Sequence, residues 1–162
     1  MGRSYEVFVA KDYFKFNAAH FQVYDGFRER LHGHNYRVSV RVAGRLGEDG
    51  YVVDFGDIKQ AAREICQELN ERVLVPAGND TLEIVQADGQ LEITCQDGSR
   101  FSLPEADCVV LPLAHSSAEE LAEYLAGRFV ERLAILSERG VETIELVVEE
   151  APGQEARCRI DL

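Results

Sequence analysis

At 162 residues, 46% hydrophobic and 28% charged, the chain has the profile of one globular domain with a sizeable core. A formal charge of -12 repels phosphate backbones, and no basic run offsets it, which excludes nucleic acid as a partner. No stretch reaches the roughly 18 to 20 consecutive apolar residues of a membrane helix, and the start, "MGRSYEVFVAKDYF", lacks the unbroken apolar core of a signal peptide, so the expectation is a cytoplasmic protein without membrane contact.

Residues 4 to 20 have strand character, and Phe14, Phe16, Ala18 and His20 share one face. "LHGHNYRVSV", residues 31 to 40, alternates too: a strand running from His32 sets His32, His34, Tyr36, Val38, Val40 and Val42 on one side. Paired as antiparallel neighbours, residues 14 to 20 and 32 to 42 bring His20, His32 and His34 together at one end of a hairpin. A Gly-rich connection follows between Gly44 and Phe55. From Asp57 the apolar positions Ile58, Ala62, Ile65, Leu69 and Val73 step by three or four, predicting an amphipathic helix with Asp57 as N-cap and Pro76 just beyond its end.

Residues 79 to 104 read as an inserted β-meander: "TLEIVQA", "QLEITCQ" and "SRFSLP" are joined by Asp88-Gly89 and Asp97-Gly98, which favour tight hairpin turns. A second helix starts at Ser117, where Ser117 and Glu120 form a capping box, and runs through Leu121, Leu125, Phe129, Leu133 and Leu136 toward Gly140. "ETIELVVEE" alternates Ile144, Leu146, Val148 and then Glu150, and "EARCRIDL" returns alongside. Cys66, Cys95, Cys108 and Cys158 form no C-x-x-C pair, so they read as reduced, mostly buried thiols, not as a zinc site or a disulfide scaffold.

Any one of these histidines alone reads as an ordinary polar residue at a strand end. Three imidazoles on one point read as a metal site, and three histidines with one open position are the usual catalytic zinc arrangement. His115, just before the second helix, is a loop residue without an assigned role, at most a lining residue of the same pocket.

In order, "FNAAH", "LHGHNYRVSV", "VVDFGDIK", "SSAEELAEYL" and "EEAPGQEA" resemble the motif series of the 6-pyruvoyl-tetrahydropterin synthase and 6-carboxytetrahydropterin synthase family, over nearly the whole chain except the meander. The resemblance implies an α+β tunnelling fold (T-fold), with an antiparallel sheet and two helices packed on one face. It implies a single domain over residues 1–162 with the meander inserted, whose copies assemble into a homohexamer. It also implies Zn2+ on His20, His32 and His34, and a small-molecule pterin gripped by Glu150, with Ser117 and Glu119 at the substrate. Independently, Glu150 ends an apolar face, where a charge needs a partner; a pterin edge offers two parallel N–H donors in the fork geometry a carboxylate accepts. Glu149 competes for that role.

The family's base is a cysteine four residues before the H-G-H pair, supported by an Asp-His pair at the end of the first long helix. This chain has Arg28 at the cysteine position, and Asn70 with Glu71 where Asp-His aligns. Glu29 gives E-x-x-H-G-H, which resembles a family variant that uses a glutamate and cleaves a dihydroneopterin-type side chain to a 6-hydroxymethyl pterin for folate synthesis. Glu29 is then the catalytic base, and a neighbouring carboxylate such as Glu71 raises its pKa from about 4.3 toward a useful range. The expectation is a zinc-dependent lyase acting on dihydroneopterin or its triphosphate, with queuosine-, biopterin- and folate-type products all open. Two alternatives stand beside it: a zinc-containing pterin- or purine-binding homologue without turnover, and an oligomer scaffold with structural zinc.

Overall fold

The alternating segments become two long antiparallel strands, β1 (Tyr5–His20) and β4 (His32–Gly44), with Phe16 opposite Tyr36, Ala18 opposite His34 and His20 opposite His32. The computed structural model describes residues 2–133, 136 and 138–162. A register shift between Ala10 and Lys15 moves the core-facing positions of β1 from Val7 and Val9 to Phe14, Phe16 and Ala18. Four residues of β1 stand against one of β4 between those two pairs, and an odd excess reverses every later side chain, which is what carries His20 inward. The connection between the two strands holds a two-residue hairpin, β2 (Val23–Tyr24) with β3 (Phe27–Arg28).

Helix α1 (Phe55–Leu69) starts three residues before the expected position. Its N-cap is Asp54, whose side chain accepts from the Gly56 N–H; Asp57 lies in the first turn. Val73 and Pro76 are not the end of this helix. They belong to β5 (Arg72–Pro76), which runs parallel to β1. A five-residue apolar run following a helix carries no period of its own, so its strand state is set by the neighbour it pairs with.

The meander forms as expected, as β6 (Leu82–Ala87), β7 (Gln90–Cys95) and β8 (Arg100–Pro104) in a separate antiparallel sheet. Asp88 and Gly89 both take positive φ, 52° and 74°, as its first tight turn requires. β9 (Cys108–Leu111) then joins β5 in parallel. Helix α2 (Ala118–Arg132) is capped by Ser117, which accepts from the Glu120 N–H, and its C-cap is Leu133. The reciprocal half of the capping box does not form, because the Glu120 carboxylate instead accepts from the backbone N–H and the Nδ1 of His115. The expected run of this helix past Leu133 toward Gly140 falls partly on Ala134, Ile135 and Ser137, outside the described residues.

β10 (Val141–Ala151) and β11 (Gln154–Asp161) complete a six-stranded sheet in the order β11-β10-β4-β1-β5-β9. The four strands β11, β10, β4 and β1 are antiparallel, and β5 and β9 add a parallel edge. Both helices lie on one face of this sheet, α1 over β1 and α2 over β10 and β11. Ile58, Ile65, Leu69, Leu121, Leu125 and Phe129 are fully buried there against Phe14, Phe16, Tyr36 and Val40, each contributing about 1.5–3 kcal/mol of transfer free energy. A smaller core under the meander gathers Phe21, Val23, Val75, Leu91, Ile93 and Cys95.

Candidate metal centre

The β1–β4 register sets His20 and His32 directly opposite each other, with His34 two residues along β4. Their ring centroids are 4.7 Å (His20–His32), 5.2 Å (His20–His34) and 4.9 Å (His32–His34) apart. One nitrogen from each ring lies within 4.8 Å of the other two. Hydrogen bonds on the far side of two rings decide which nitrogen that is. His20 Nδ1 donates to the Ser116 carbonyl at 2.9 Å, and His32 Nδ1 donates to the Arg30 carbonyl at 2.8 Å. A ring that donates from Nδ1 and is neutral presents a lone pair on Nε2. Among the described residues, the buried Nε2 atoms of His20 and His34 have no hydrogen-bond partner.

Burial, at 2% exposure, pushes the His20 pKa below its ordinary value, outweighing the opposing pull of the Ser116 carbonyl and the Glu150 charge. The neutral ring is also the form that ligates a metal. Unpaired buried nitrogens cost free energy unless something accepts their lone pairs, and a divalent cation does so. The three histidines therefore fit a metal ion.

Glu150 faces this trio, its Oε1 3.6 Å from His34 Nε2 and its Oε2 3.9 Å from His20 Nε2. It sits where the β10–β11 register shifts between Glu149 and Ala151, and such a bulge re-aims a side chain. Glu149 is committed elsewhere, accepting from the Gly153 N–H. Beneath Glu150 lies Tyr36, fully buried and stacked on Phe16 at 4.6 Å. Burial first, and then the charge of Glu150, drives the Tyr36 pKa well above the ordinary tyrosine range, so it stays a neutral donor.

Glu29 stands beside His32, with Oε2 3.9 Å from His32 Nε2 and accepting from the Gln22 N–H at 3.0 Å. A pocket of about 310 Å³ opens here, lined by His20, His32, Glu29, Ser117, Glu119 and Glu150. His34 completes the trio from the adjoining depression. Glu71 does not line this pocket: it takes a positive φ of 58° and lines that second depression with Asn17, Gly33 and Arg72. His115 does not line the pocket either, being bound to Glu120.

Sequence reasoning passed over Ser116, which holds His20 through its carbonyl and also accepts from Nδ1 through its hydroxyl at 3.2 Å. It also passed over Gln22, Gln154 and Glu155, which add polar groups to the wall. For Ser116 the one available cue is its place beside a helix cap, since its partner lies 96 residues away. All four cysteines are free; Cys66 is in the main core, where burial pushes its thiol up to about 12.

The family model for 6-pyruvoyl tetrahydropterin synthase matches residues 9–161. A curated relative from Methanocaldococcus jannaschii, provisionally named 6-carboxy-5,6,7,8-tetrahydropterin synthase, is 33% identical over 130 residues, covering 80% of this chain and 79% of the relative. The crystal structure of 6-pyruvoyl tetrahydropterin synthase from Plasmodium vivax is similar at a TM-score of 0.95 and 40% identity, covering 99% of both chains. The Plasmodium falciparum synthase is similar at the same TM-score and identity, covering 98% of this chain and 99% of that one. With the fold, the histidine trio and this agreement along nearly the full length, the chain belongs to the 6-pyruvoyl tetrahydropterin synthase family.

Proposed function

We propose that the chain is a zinc-dependent lyase that cleaves the side chain of a dihydroneopterin-type pterin, with Glu29 moving the proton. The observation that carries this reading is the convergence of three histidine nitrogens beside a pocket lined by two carboxylates, Glu29 near His32 and Glu150 near His20 and His34. His20, His32 and His34 hold the metal, and three nitrogen ligands from histidine suit zinc. Bound there, zinc supplies a Lewis acid that polarises the oxygens of the substrate side chain.

Glu150 grips the amino-pyrimidine edge of the pterin, and the buried Tyr36 hydroxyl, which has no hydrogen-bond partner among the described residues, stays neutral near it. Ser117 and Glu119, at the start of α2, offer further hydrogen-bonding groups from the same wall. Glu29 then takes the proton of the side-chain hydroxyl on C2′. The C1′–C2′ bond breaks as that oxygen becomes a carbonyl, its electron pair passes to C1′, and Glu29 returns the proton there, leaving a 6-hydroxymethyl pterin and an aldehyde.

Support for a glutamate base comes from two sides. None of the four cysteines lines the pocket, and Arg28 occupies the position where the family pattern has its cysteine. A P. vivax synthase structure, 39% identical to this chain, is of a variant in which a glutamate described as a catalytic residue is replaced by alanine. The family's oligomeric habit fits the sheet face turned away from the helices, where Phe8 is 51% exposed; a homohexamer in the cytoplasm is part of the proposal.

One observation favours the alternative of a pterin-binding homologue without turnover. Asn70, aligned with the acidic member of the family's Asp-His pair, spends its Oδ1 on the backbone N–H of Asn17. Incubating the zinc-loaded protein with dihydroneopterin and with its triphosphate, and identifying products by mass, separates the two. Turnover to a 6-hydroxymethyl pterin, lost by about 100-fold or more in Glu29→Gln with zinc content unchanged, supports the lyase; binding without consumption overturns it.

A further inference from the structure

The meander lies against the one segment that carries Glu29. Residues 21–31 join the two histidine-bearing strands, and their own β2–β3 hairpin is too short to be stable unaided. The apolar packing that holds them comes from the meander. Phe21 and Val23 are buried against Leu91, Ile93 and Cys95 of β7, and the Phe21 ring stacks on Phe101 of β8 at 5.0 Å. Glu29 itself is clasped by Gln22, donating its N–H to the Gln22 carbonyl at 2.8 Å and accepting from the Gln22 N–H at 3.0 Å.

Arg28 spans the gap between the clasp and the meander. Its Nε donates to Asp97 Oδ2 at 2.8 Å, its Nη1 donates to the Glu29 carbonyl at 3.0 Å, and its guanidinium lies 5.8 Å from the centroid of the Phe101 ring. Asp97 is presented by a preformed turn: its Oδ1 accepts from the Ser99 N–H, and Gly98 takes a φ of 81° that an L side chain adopts poorly. The guanidinium thus joins the meander turn to the backbone of Glu29 with charge-assisted bonds.

We propose that the meander is a positioning device for the pocket, and that the Arg28–Asp97 pair is the strut through which it holds Glu29 beside His32. This rests on the reading of Glu29 as the group that moves the proton. Neither Arg28 nor Asp97 lines the pocket; they act through Glu29. Misplacing a catalytic group by about 1 Å costs up to about 100-fold, and loss of one partly exposed strut, with the clasp and the Phe21 packing still in place, costs less.

The test uses the zinc-loaded full chain with dihydroneopterin and with its triphosphate as probes. Asp97→Asn is expected to lower kcat about tenfold with KM within about twofold and zinc content unchanged, while Asp97→Glu, which keeps the carboxylate, retains more than half of kcat. Wild-type kcat in Asp97→Asn, or an equal loss in Asp97→Glu, overturns the proposal. Amide exchange at Glu29 needs no turnover, and it separates this proposal from the reading beneath it. If Glu29→Gln remains active, the base assignment falls and exchange alone decides. Faster exchange at Glu29 in Asp97→Asn, with Ile93 unchanged, supports the strut, and unchanged exchange at Glu29 overturns it.

Discussion

Gly33 separates the two histidines of β4 for a steric reason: a Cβ there meets the Ala18 carbonyl oxygen at 3.1 Å across the strand pair. The close approach keeps His32 against His20, and the period of two then carries His34 to the same side. That geometry was readable from parity alone. The tautomers were not, because they depend on Ser116 and on the Arg30 carbonyl, to which no pattern in the strand points. Asp97 allows a check at the same scale. Hydrogen bonds from Arg28 and from Ser99 hold its pKa down at about 2, below the ordinary 3.8. A depressed carboxylate stabilises the fold above its ordinary pKa and loses that contribution as pH falls through the folded value, so the pair acts fully above about pH 4 and is lost near pH 2. Carboxyl chemical shifts of Asp97 are expected to titrate with a midpoint of about 2, moving up toward 3.8 in Arg28→Ala; an unchanged midpoint in that variant removes the pair.

At the level of elements, amphipathic periods marked the helices and left their ends open. The apolar stripe of α1 was legible from Ile58 to Leu69, yet its start is Asp54, because the capping bond to Gly56 forms there. Asp54→Ala is expected to lower unfolding free energy by about 1 kcal/mol, with a range of about 0.5–2, measured by urea denaturation with zinc content unchanged; no loss means the cap does not hold the helix. The same limit explains β5. Its Val73 fits a helical step as well as a strand, and only pairing with β1 and β9 settles the matter. The alternation in β10 extends to Glu150, whose carboxylate lies 3.6 Å from His34 Nε2, while the bulge between Glu149 and Ala151, which sets where the carboxylate points, has no mark in the strand's own residues.

Across the whole molecule, the trio links the two strands β1 and β4 in the interior of the six-stranded sheet, so a metal bound there braces the strands on which α1 rests. Zinc that binds the folded chain and not the unfolded one adds about 2.7 kcal/mol at a free concentration of ~100 times Kd. Thermal unfolding of metal-free protein is expected to shift upward on adding zinc, and His20→Ala is expected to lose most of that shift; equal shifts in both place the binding elsewhere. Among the described residues no helix is long and apolar enough to cross a membrane. The amino-acid sequence by itself determined which side chains share a face, where tight turns fall and which histidines converge, because these follow from the pleat and the helical period within one segment or one strand pair. Only the tertiary structure decided that Glu71 lines the adjoining depression with His34, that Ser116 orients His20 and that the meander braces the segment bearing Glu29. Those outcomes are contacts between residues far apart along the chain, and their free energy comes from burial and hydrogen bonds that exist only once the layers have closed on each other.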